Sequence, residues 1–136
     1  MEGCKNYTIC GDPLFFAPEI VNQNGYDYAA DLWALGVLIY EIYEGSTPFG
    51  TSEMEETAIF KTIAGFKGTV KYSKATAAAQ ELINSLLRVS SEDRCGYRQW
   101  DAFKGRALFT GSTFFFLTAL YYIHFITRLS VCYGCA

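Results

Sequence analysis

The sequence predicts a mainly α-helical protein, and three stretches support this prediction. Residues 33–43 form an almost unbroken apolar run, residues 52–65 begin with a helix-capping pattern and end at a glycine, and residues 79–87 repeat apolar side chains at helical spacing. No internal repeat or low-complexity linker separates these stretches. A chain of 136 residues has room for one domain. We therefore expect one helical body.

The first 28 residues are expected to be mostly loop, with one short helical turn. Gly11, Asp12 and Pro13 are typical of a turn. Pro18 disfavours helical conformation at the residue before it, because its ring crowds the preceding backbone. The first long helix is therefore expected after this region, and Asp31 stands where its N-cap belongs.

Residues 33–43 predict a helix that is buried on every side. They are apolar nearly all round the helix, whereas a surface helix keeps one polar face. Gly45 follows the run, and a glycine just after the last turn is a common helix end. The run is too short to cross a bilayer, which takes about 20 residues. It is therefore expected to form the centre of the core.

Two further helices are expected downstream. Ser52 and Glu55 form the capping pattern S-x-x-E, which opens a helix that should end at Gly65. Further on, five apolar residues recur at positions i, i+3, i+4, i+7 and i+8, which places them on one face of a helix. That face is expected to pack against the helix of residues 33–43. The five residues are Ala79, Leu82, Ile83, Leu86 and Leu87.

The charge balance argues against a nucleic-acid partner. The chain has 11 Lys and Arg against 14 Asp and Glu, so its formal net charge is −3 at pH 7. Binding to a phosphate backbone needs Lys and Arg clustered in a patch or stripe, and the sequence has no such stripe. No nucleic acid is therefore predicted among its partners.

The cysteines indicate a reducing compartment and no metal site. Their number, five, is odd, and no basic and apolar targeting pattern opens the chain, so the predicted location is cytoplasmic. Cys132 and Cys135 form a C-x-x-C pair, but a structural zinc site needs four ligands. Two free thiols are favoured, because the remaining candidates offer no matching second pair. These candidates are Cys4, Cys10, Cys95 and His124.

Two blocks of sequence and one arginine stand out from this helical pattern. The blocks are CGDPLFFAPEI at residues 10–20 and DLWALGVLIYE at residues 31–41, and the arginine is Arg94 in SEDRCGYR. Together they resemble eukaryotic protein kinases, since the first block resembles the Ala-Pro-Glu end of an activation loop and the second resembles the central helix of the large lobe. The resemblance covers residues 5–109 and is closest to the cyclic-nucleotide-dependent enzymes of the AGC group, which phosphorylate serine and threonine.

The resemblance implies a partial large, C-terminal lobe of a protein kinase, without the nucleotide-binding small lobe. Residues 1–110 correspond to part of the kinase domain, and residues 111–136 form an apolar tail of separate status. The 136 residues contain no glycine-rich phosphate loop, no H-R-D catalytic loop and no D-F-G metal motif, all of which a kinase uses. Some helices that cover the central helix in kinases would precede residue 1, so the chain is not expected to fold cleanly alone.

The implied function is that of a fragment of a serine/threonine protein kinase, which transfers the γ-phosphate of ATP to protein hydroxyls. A complete parent would use ATP and magnesium, whereas this chain is expected to hold no cofactor or metal, to contain no catalytic residue and to transfer no phosphate by itself. The expected partner is a protein substrate with basic residues. The alternative is a non-catalytic interaction module that keeps a peptide-docking surface, with or without a membrane tether.

The resemblance also assigns roles to individual residues. Thr8 lies eleven residues before Glu19, where kinases of this group carry the activation-loop phosphorylation site, and Lys5 just upstream suits a basophilic kinase. Glu19 and Arg94 correspond to a pair that ties the activation segment to the helical body. Asp31 corresponds to the aspartate that holds the catalytic-loop backbone, and without that loop it is expected to act as a helix cap.

A peptide-docking surface is implied at four positions. Ile9, Pro13 and Phe16 correspond to the pocket for the substrate residue that follows the phosphoacceptor, and Glu41 corresponds to a carboxylate that binds a substrate arginine. A structural interpretation stays open for each of them. Aromatic residues near a turn usually belong to the core, and a glutamate at a helix end is often solvated or a structural partner.

Two residues depart from the kinase pattern around the turn proline. Asp12 and Leu14 stand where serine/threonine kinases usually carry threonine and glutamate. The threonine normally hydrogen-bonds to the catalytic aspartate, whereas a second carboxylate there would repel it and raise a pKa. Leu14 removes one acidic contact for basic substrates.

The charge-free stretch at residues 107–127 reaches the length of about 20 residues that a transmembrane helix needs. Polar residues dilute its hydrophobicity, four of them between residues 112 and 124, and a histidine within a membrane is costly without a partner. A cytoplasmic chain is therefore favoured over one anchored by this segment, in which the kinase-like body would still face the cytosol. The four residues are Ser112, Thr113, Thr118 and His124.

Overall fold

The structure is a computed structural model that describes residues 11–99 together with residues 5, 7 and 9. Apart from an isolated bridge residue at Tyr26, the regular structure within this range is helical, which confirms the prediction of a mainly helical body. The α-helices in the described range are α1 (Pro18–Val21), α2 (Ala29–Glu44), α3 (Glu56–Ala64) and α4 (Ala77–Leu86), and short 3₁₀ turns cover Pro13–Phe15 and Ser91–Asp93.

Helix α2 forms the centre of the core, as its apolar run predicts. Trp33, Val37 and Ile39 are completely buried, and the buried positions lie on all sides of the helix. The helix ends at Gly45, which has a φ of 85° and donates its N–H to the carbonyl of Glu41 at 2.8 Å. This left-handed conformation favours glycine, because it is unstrained without a Cβ. The predicted end of the helix is therefore confirmed.

The start of α2 differs from the prediction that Asp31 is its N-cap. The helix begins at Ala29, so Asp31 lies within its first turn. The N-cap is Tyr28, which makes no side-chain capping hydrogen bond, and Oδ1 of Asp27 just before it accepts the N–H of Ala29 at 2.9 Å. Ala29 and Ala30 are both buried, and alanine is the best helix former. The helix therefore extends toward its N-terminus beyond the point where the apolar run begins.

Helix α3 ends where the sequence predicts and begins slightly later. Its C-cap is Gly65, whose N–H donates to the carbonyl of Lys61 at 3.0 Å. The predicted capping box is wrong, because Glu55 is itself the N-cap and makes no side-chain capping hydrogen bond. Ser52 instead belongs to a turn, which closes with a hydrogen bond from the N–H of Met54 to the carbonyl of Thr51.

Helix α4 packs against α2, as its one-faced pattern predicts. Its N-cap is Thr76, whose side chain accepts the N–H of Ala79 at 3.3 Å. The sequence pattern places five apolar residues on one face, and all five are buried in the same core cluster as α2. The interface between these two helices is therefore the most extensive contact between two elements of the described chain. The residues are Ala79, Leu82, Ile83, Leu86 and Leu87.

Gly36 allows this close approach of α4 to α2. A Cβ at Gly36 would lie 2.9 Å from Leu87 Cδ2 and 3.0 Å from Leu86 Cβ, and the second of these atoms is fixed by the α4 backbone. We expect Gly36→Val to destabilise the protein by about 1–3 kcal/mol, because overpacking forces off-rotamer side chains and backbone shifts. Chemical denaturation measures this change, with Ala78→Val on the exposed part of α4 as the control. Equal stability of the two variants would contradict the tight packing at Gly36.

Candidate functional site

A two-point ion pair joins the N-terminal segment, defined here as residues 11–21, to the far end of the described chain. Arg94 follows the last 3₁₀ turn, and Glu19 lies in the first turn of α1. Nη1 of Arg94 donates to Oε1 of Glu19 at 2.5 Å, and Nη2 donates to Oε2 at 2.7 Å. Arg94 is 2% exposed. Such bidentate arginine–carboxylate pairs are stronger and more directional than single hydrogen bonds.

The remaining donors of Arg94 are used by backbone carbonyls. Nη1 also donates to Ala29 at the start of α2 at 2.8 Å, and Nε donates to Arg88 just after α4 at 3.0 Å. The guanidinium carbon lies 5.2 Å from the centre of the Trp33 ring, within cation–π range. One planar side chain therefore holds α1, α2 and the chain after α4 together. Lysine lacks this planar fork and could not make the same set of contacts.

The N-terminal segment is packed onto the helical body rather than merely tethered to it. Asp12 Oδ1 accepts the N–H of Leu14 at 3.0 Å, which caps the 3₁₀ turn. The side chain of Leu14 is buried, Ala17 is completely buried, and the ring of Phe16 stacks on Phe60 of α3 with centroids 6.0 Å apart. Asp12, which departs from the kinase pattern, thus has a local structural role in this turn.

A second contact joins Tyr7, which precedes the N-terminal segment, to Gly25 in the loop between α1 and α2. The ring of Tyr7 lies so close to Gly25 that a Cβ there would be 2.8 Å from Tyr7 Cζ. Gly25 also has a φ of 73°, so both its conformation and its surroundings favour glycine. Thr8, the predicted phosphorylation site, lies outside the described residues, although both of its neighbours in sequence are described.

The positions assigned to peptide docking fall into two groups. Ile9 is 48% exposed, and Pro13 and Glu41 are partly exposed, so a bound peptide could reach them. Phe16 is only 5% exposed, and its ring contributes to the core through Phe60. Phe16 therefore lies in the core, as the structural interpretation expects, while the other three positions are accessible.

Asp31 carries a partly buried carboxylate on the first turn of α2. Burial, and to a smaller extent the negative charge of Asp27, raise the pKa of Asp31 to about 6. Both causes act in the same direction, because loss of water and a nearby like charge disfavour the ionised form. Asp27 is held in place by the Ala29 N–H and by the hydroxyl of Tyr97 at 3.3 Å. Asp31 is thus an acidic group that titrates close to neutral pH.

Sequence reasoning missed a second anchor, in which Glu44 at the end of α2 binds the loop before α4. Its carboxylate accepts the Ser73 hydroxyl at 2.6 Å and backbone N–H groups of Ser73, Lys74 and Ala75 at 2.9–3.1 Å. The Ser73 hydroxyl first, and then the Lys74 N–H, lower the pKa of Glu44 to about 2. A glutamate before a helix-ending glycine usually looks solvated, and its partners lie about 30 residues away, so the sequence contains no signal for this "Glu44 anchor".

A kinase needs metal-ligating side chains to hold ATP and magnesium. Among the described residues, no group of three or more His, Cys, Asp or Glu side chains could hold a metal ion, and complete kinases hold magnesium through residues of motifs that these 136 residues lack. The residues that would hold ATP with magnesium are therefore those of the absent motifs. Cys95 is a free thiol, whereas the Cys132 and Cys135 pair lies outside the described residues.

No helix in the described part of the chain is long and apolar enough to cross a membrane. Residues 107–127, where the sequence suggests an anchor as the less favoured alternative, lie outside that part.

Comparison with known proteins identifies the family of this chain. The family model described as "Protein kinase domain" matches residues 1–103. Human cGMP-dependent protein kinase 2 is 35% identical over 98 residues, which cover 70% of this chain and 12% of that protein. The Drosophila melanogaster cGMP-dependent protein kinase, isozyme 2 forms cD5/T2, is 35% identical over 98 residues, with coverage of 71% and 10%. Human serine/threonine-protein kinase DCLK2 is 36% identical over 92 residues, with coverage of 65% and 12%.

The chain therefore belongs to the protein kinase domain family. Its predicted resemblance to the cyclic-nucleotide-dependent branch is confirmed by the cGMP-dependent relatives. The chain spans about a tenth of the length of the curated relatives that it matches. It corresponds to part of the helical lobe of a kinase domain, and complete kinases of this family act on proteins with ATP and magnesium.

Proposed function

We propose that this chain is the substrate-side part of a serine/threonine protein kinase that transfers the γ-phosphate of ATP to protein hydroxyls. In this proposal residues 1–110 belong to the kinase domain and residues 111–136 form a separate apolar tail. The observation that carries the proposal is the bidentate pair between Glu19 and Arg94, because it would fix the end of the activation segment to the helical body. Phosphoryl transfer depends mainly on such positioning and on charge stabilisation.

Substrate recognition is the part of the reaction that these residues would support. Ile9 and Pro13 are accessible before and at the start of the capped 3₁₀ turn of the N-terminal segment, and Phe16 packs from that turn into the core. The Glu41 carboxylate would bind a basic residue of the substrate through charge attraction, which is strongest for arginine because of its planar fork. Phosphorylation of Thr8 would add about −1.5 to −2 charges to the segment.

Asp31 would hold the catalytic loop of the parent kinase. Its pKa of about 6 supports this role, because hydrogen bonds from backbone N–H groups would stabilise the ionised carboxylate and lower that pKa. ATP and magnesium would bind to parts of the parent outside the described residues. A cytoplasmic location is favoured over anchoring through residues 107–127.

The purified chain should neither bind ATP with magnesium nor phosphorylate a basic peptide, since it lacks the motifs that carry both steps. Calorimetry with ATP and magnesium measures binding, and transfer of radiolabelled phosphate measures activity. A complete cyclic-nucleotide-dependent kinase is the positive control. Turnover that disappears when a residue of this chain is mutated would contradict the proposal, whereas turnover that survives such mutation indicates a contaminating kinase.

A second candidate function is a non-catalytic interaction module that binds basic peptides. The accessibility of Ile9, Pro13 and Glu41 on a packed helical body favours it. Fluorescence titration of an arginine-containing peptide tests it, with Glu41→Gln to remove the charge and Glu53→Gln on the exposed loop before α3 as the matched control. Binding that is weakened only by Glu41→Gln supports docking at this surface, and equal effects of both variants contradict it.

A further inference from the structure

The Glu44 anchor contains an exposed serine hydroxyl, which distinguishes it from an ordinary helix-end contact. Ser73 lies in the loop between α3 and α4, and both its backbone N–H and its Oγ donate to the Glu44 carboxylate. Lys71 and Lys74 flank it in sequence. The hydroxyl of Tyr40 donates to the carbonyl of Lys71 at 2.7 Å, so the same loop is attached to α2 at two successive points.

We propose that Ser73 is a phosphorylation site and that its phosphorylation releases the Glu44 anchor. The donor would be ATP, used by a serine/threonine kinase that prefers basic sequences. In this step a bond forms between the γ-phosphorus and Ser73 Oγ, and the bond from that phosphorus to the bridging oxygen of ADP breaks. The hydroxyl proton passes to the base of the modifying kinase, and ADP leaves.

The geometry explains why this modification would act as a switch. Ser73 Oγ lies 2.6 Å from Glu44 Oε2, and a phosphoserine oxygen no longer has a proton to donate to the carboxylate. A phosphate carries about −1.5 to −2 charges at neutral pH. Because the pKa of Glu44 is about 2, the carboxylate is fully ionised under the same conditions. Two anions would then compete for the same backbone N–H groups, and like charges at this distance repel.

The released anchor would loosen the end of α2 on one side and the entry to α4 on the other. Glu41 lies one turn before Glu44 on α2, so the modification would also alter the position of the proposed docking carboxylate, an effect that rests on the proposed function. The Tyr72 hydroxyl still donates to Asn84 at 2.7 Å, so the loop would remain partly attached. We therefore expect local opening at residues 73–75 rather than unfolding of the body.

The first test asks whether the folded chain accepts phosphate at Ser73. The full chain is incubated with ATP, magnesium and the catalytic subunit of a basophilic serine/threonine kinase, and the sites are assigned by mass spectrometry. Phosphate on Ser73 that is absent from Ser73→Ala supports the proposal. A folded chain in which Ser73 stays unmodified while a basic control peptide is phosphorylated overturns it.

The second test measures the switch itself by hydrogen exchange on chains that carry phosphoserine at Ser73 through genetic code expansion. Ser73→Ala removes only the hydroxyl, so it should keep the backbone hydrogen bonds to Glu44. We expect the amides of Lys74 and Ala75 to exchange roughly tenfold faster in the phosphorylated chain than in Ser73→Ala, as loss of a charge-assisted hydrogen bond implies. Phosphoserine at the exposed Ser52 is the matched control and should leave these amides unchanged.

Equal protection of Lys74 and Ala75 in the phosphorylated chain and in Ser73→Ala would overturn the switch. An equal effect of phosphoserine at Ser52 would also overturn the switch, because the added charge alone would then explain the faster exchange. Neither outcome bears on the kinase assignment, since the Arg94 pair and peptide docking are not measured in these experiments.

Discussion

Arg94→Ala should lower the free energy of unfolding by about 3–5 kcal/mol, the range found when one partner of a buried ion pair is removed. The variant leaves Glu19 with a largely buried and uncompensated charge, since the glutamate side chain is only 14% exposed. It also removes the hydrogen bonds that Arg94 donates to the carbonyls of Ala29 and Arg88. These losses act on three separate parts of the chain, so both the N-terminal segment and the helical body should loosen.

Hydrogen exchange and thermal melting measure the two consequences of Arg94→Ala separately. Amide protection should fall in residues 11–21 as well as in α2, and the melting midpoint should fall with it. Arg94→Lys is the matched control, because it keeps the charge but not the planar fork, and it should be intermediate between wild type and alanine. Unchanged protection around Glu19 together with an unchanged melting midpoint would mean that the pair does not hold the segment.

Asp31→Asn should have the opposite effect and stabilise the isolated chain at neutral pH. The folded-state pKa of Asp31, about 6, lies above its ordinary value of 3.8. The folded protein therefore binds this proton more tightly than the unfolded chain, and that contribution to stability is lost as the pH rises from about 4 to about 6. We expect the free energy of unfolding of the asparagine variant to exceed that of the wild type by about 1–3 kcal/mol at pH 7, after allowance for the partial exposure of the carboxylate.

Asp31→Asn also loses one stabilising interaction, but this loss is smaller than the expected gain. An aspartate in the first turn of a helix interacts favourably with the helix dipole, which contributes about 0.3–1 kcal/mol at an exposed site. The balance therefore still favours asparagine. Urea denaturation of wild type and Asp31→Asn between pH 4 and pH 7 measures it, with Asp93→Asn on the exposed last 3₁₀ turn as the control. Parallel pH profiles for wild type and Asp31→Asn would contradict the raised pKa.

The parts of the fold that could be predicted from sequence are those with local causes. Helix α2 follows from an apolar run with a terminating glycine, and Gly45 ends it because the left-handed turn needs no Cβ there. The packing face of α4 follows from periodicity, since apolar residues three and four apart share one side of a helix. The family resemblance came from two contiguous blocks and from Arg94, and comparison with known kinases supports it.

The misses concern contacts that sequence spacing does not encode. The sequence predicts Asp31 as the cap of α2, but the buried alanines before it extend the helix, so that Tyr28 is the N-cap and Asp27 accepts the first helical N–H. The pattern at Ser52 and Glu55 also matches a capping box without forming one. Such side chains have a choice between neighbouring backbone N–H groups, and packing decides which one they take.

The Glu44 anchor could not be predicted for a different reason. Its donors are mainly backbone N–H groups of a loop 29–31 residues away, and every residue type except proline carries such a donor. Only the fold brings that loop to the end of α2. Phe16 illustrates the same limit, because the stacking of its ring on Phe60 depends on where α3 lies and not on the pattern around the turn.

A double-mutant cycle on Glu19 and Arg94 is the most direct measurement of whether this pair ties the activation segment to the kinase-like body. The variants are Glu19→Gln, Arg94→Met and the double mutant, each followed by chemical denaturation and by hydrogen exchange in residues 11–21. Contacts of Arg94 with backbone carbonyls cancel in the cycle, so the coupling energy reports the pair itself. We predict a coupling of about 1–3 kcal/mol, with the double mutant more stable than the sum of the single effects implies. If the free-energy changes of the two single mutants add to within about 0.5 kcal/mol and the protection of residues 11–21 is unchanged, the pair does not hold this segment to the body.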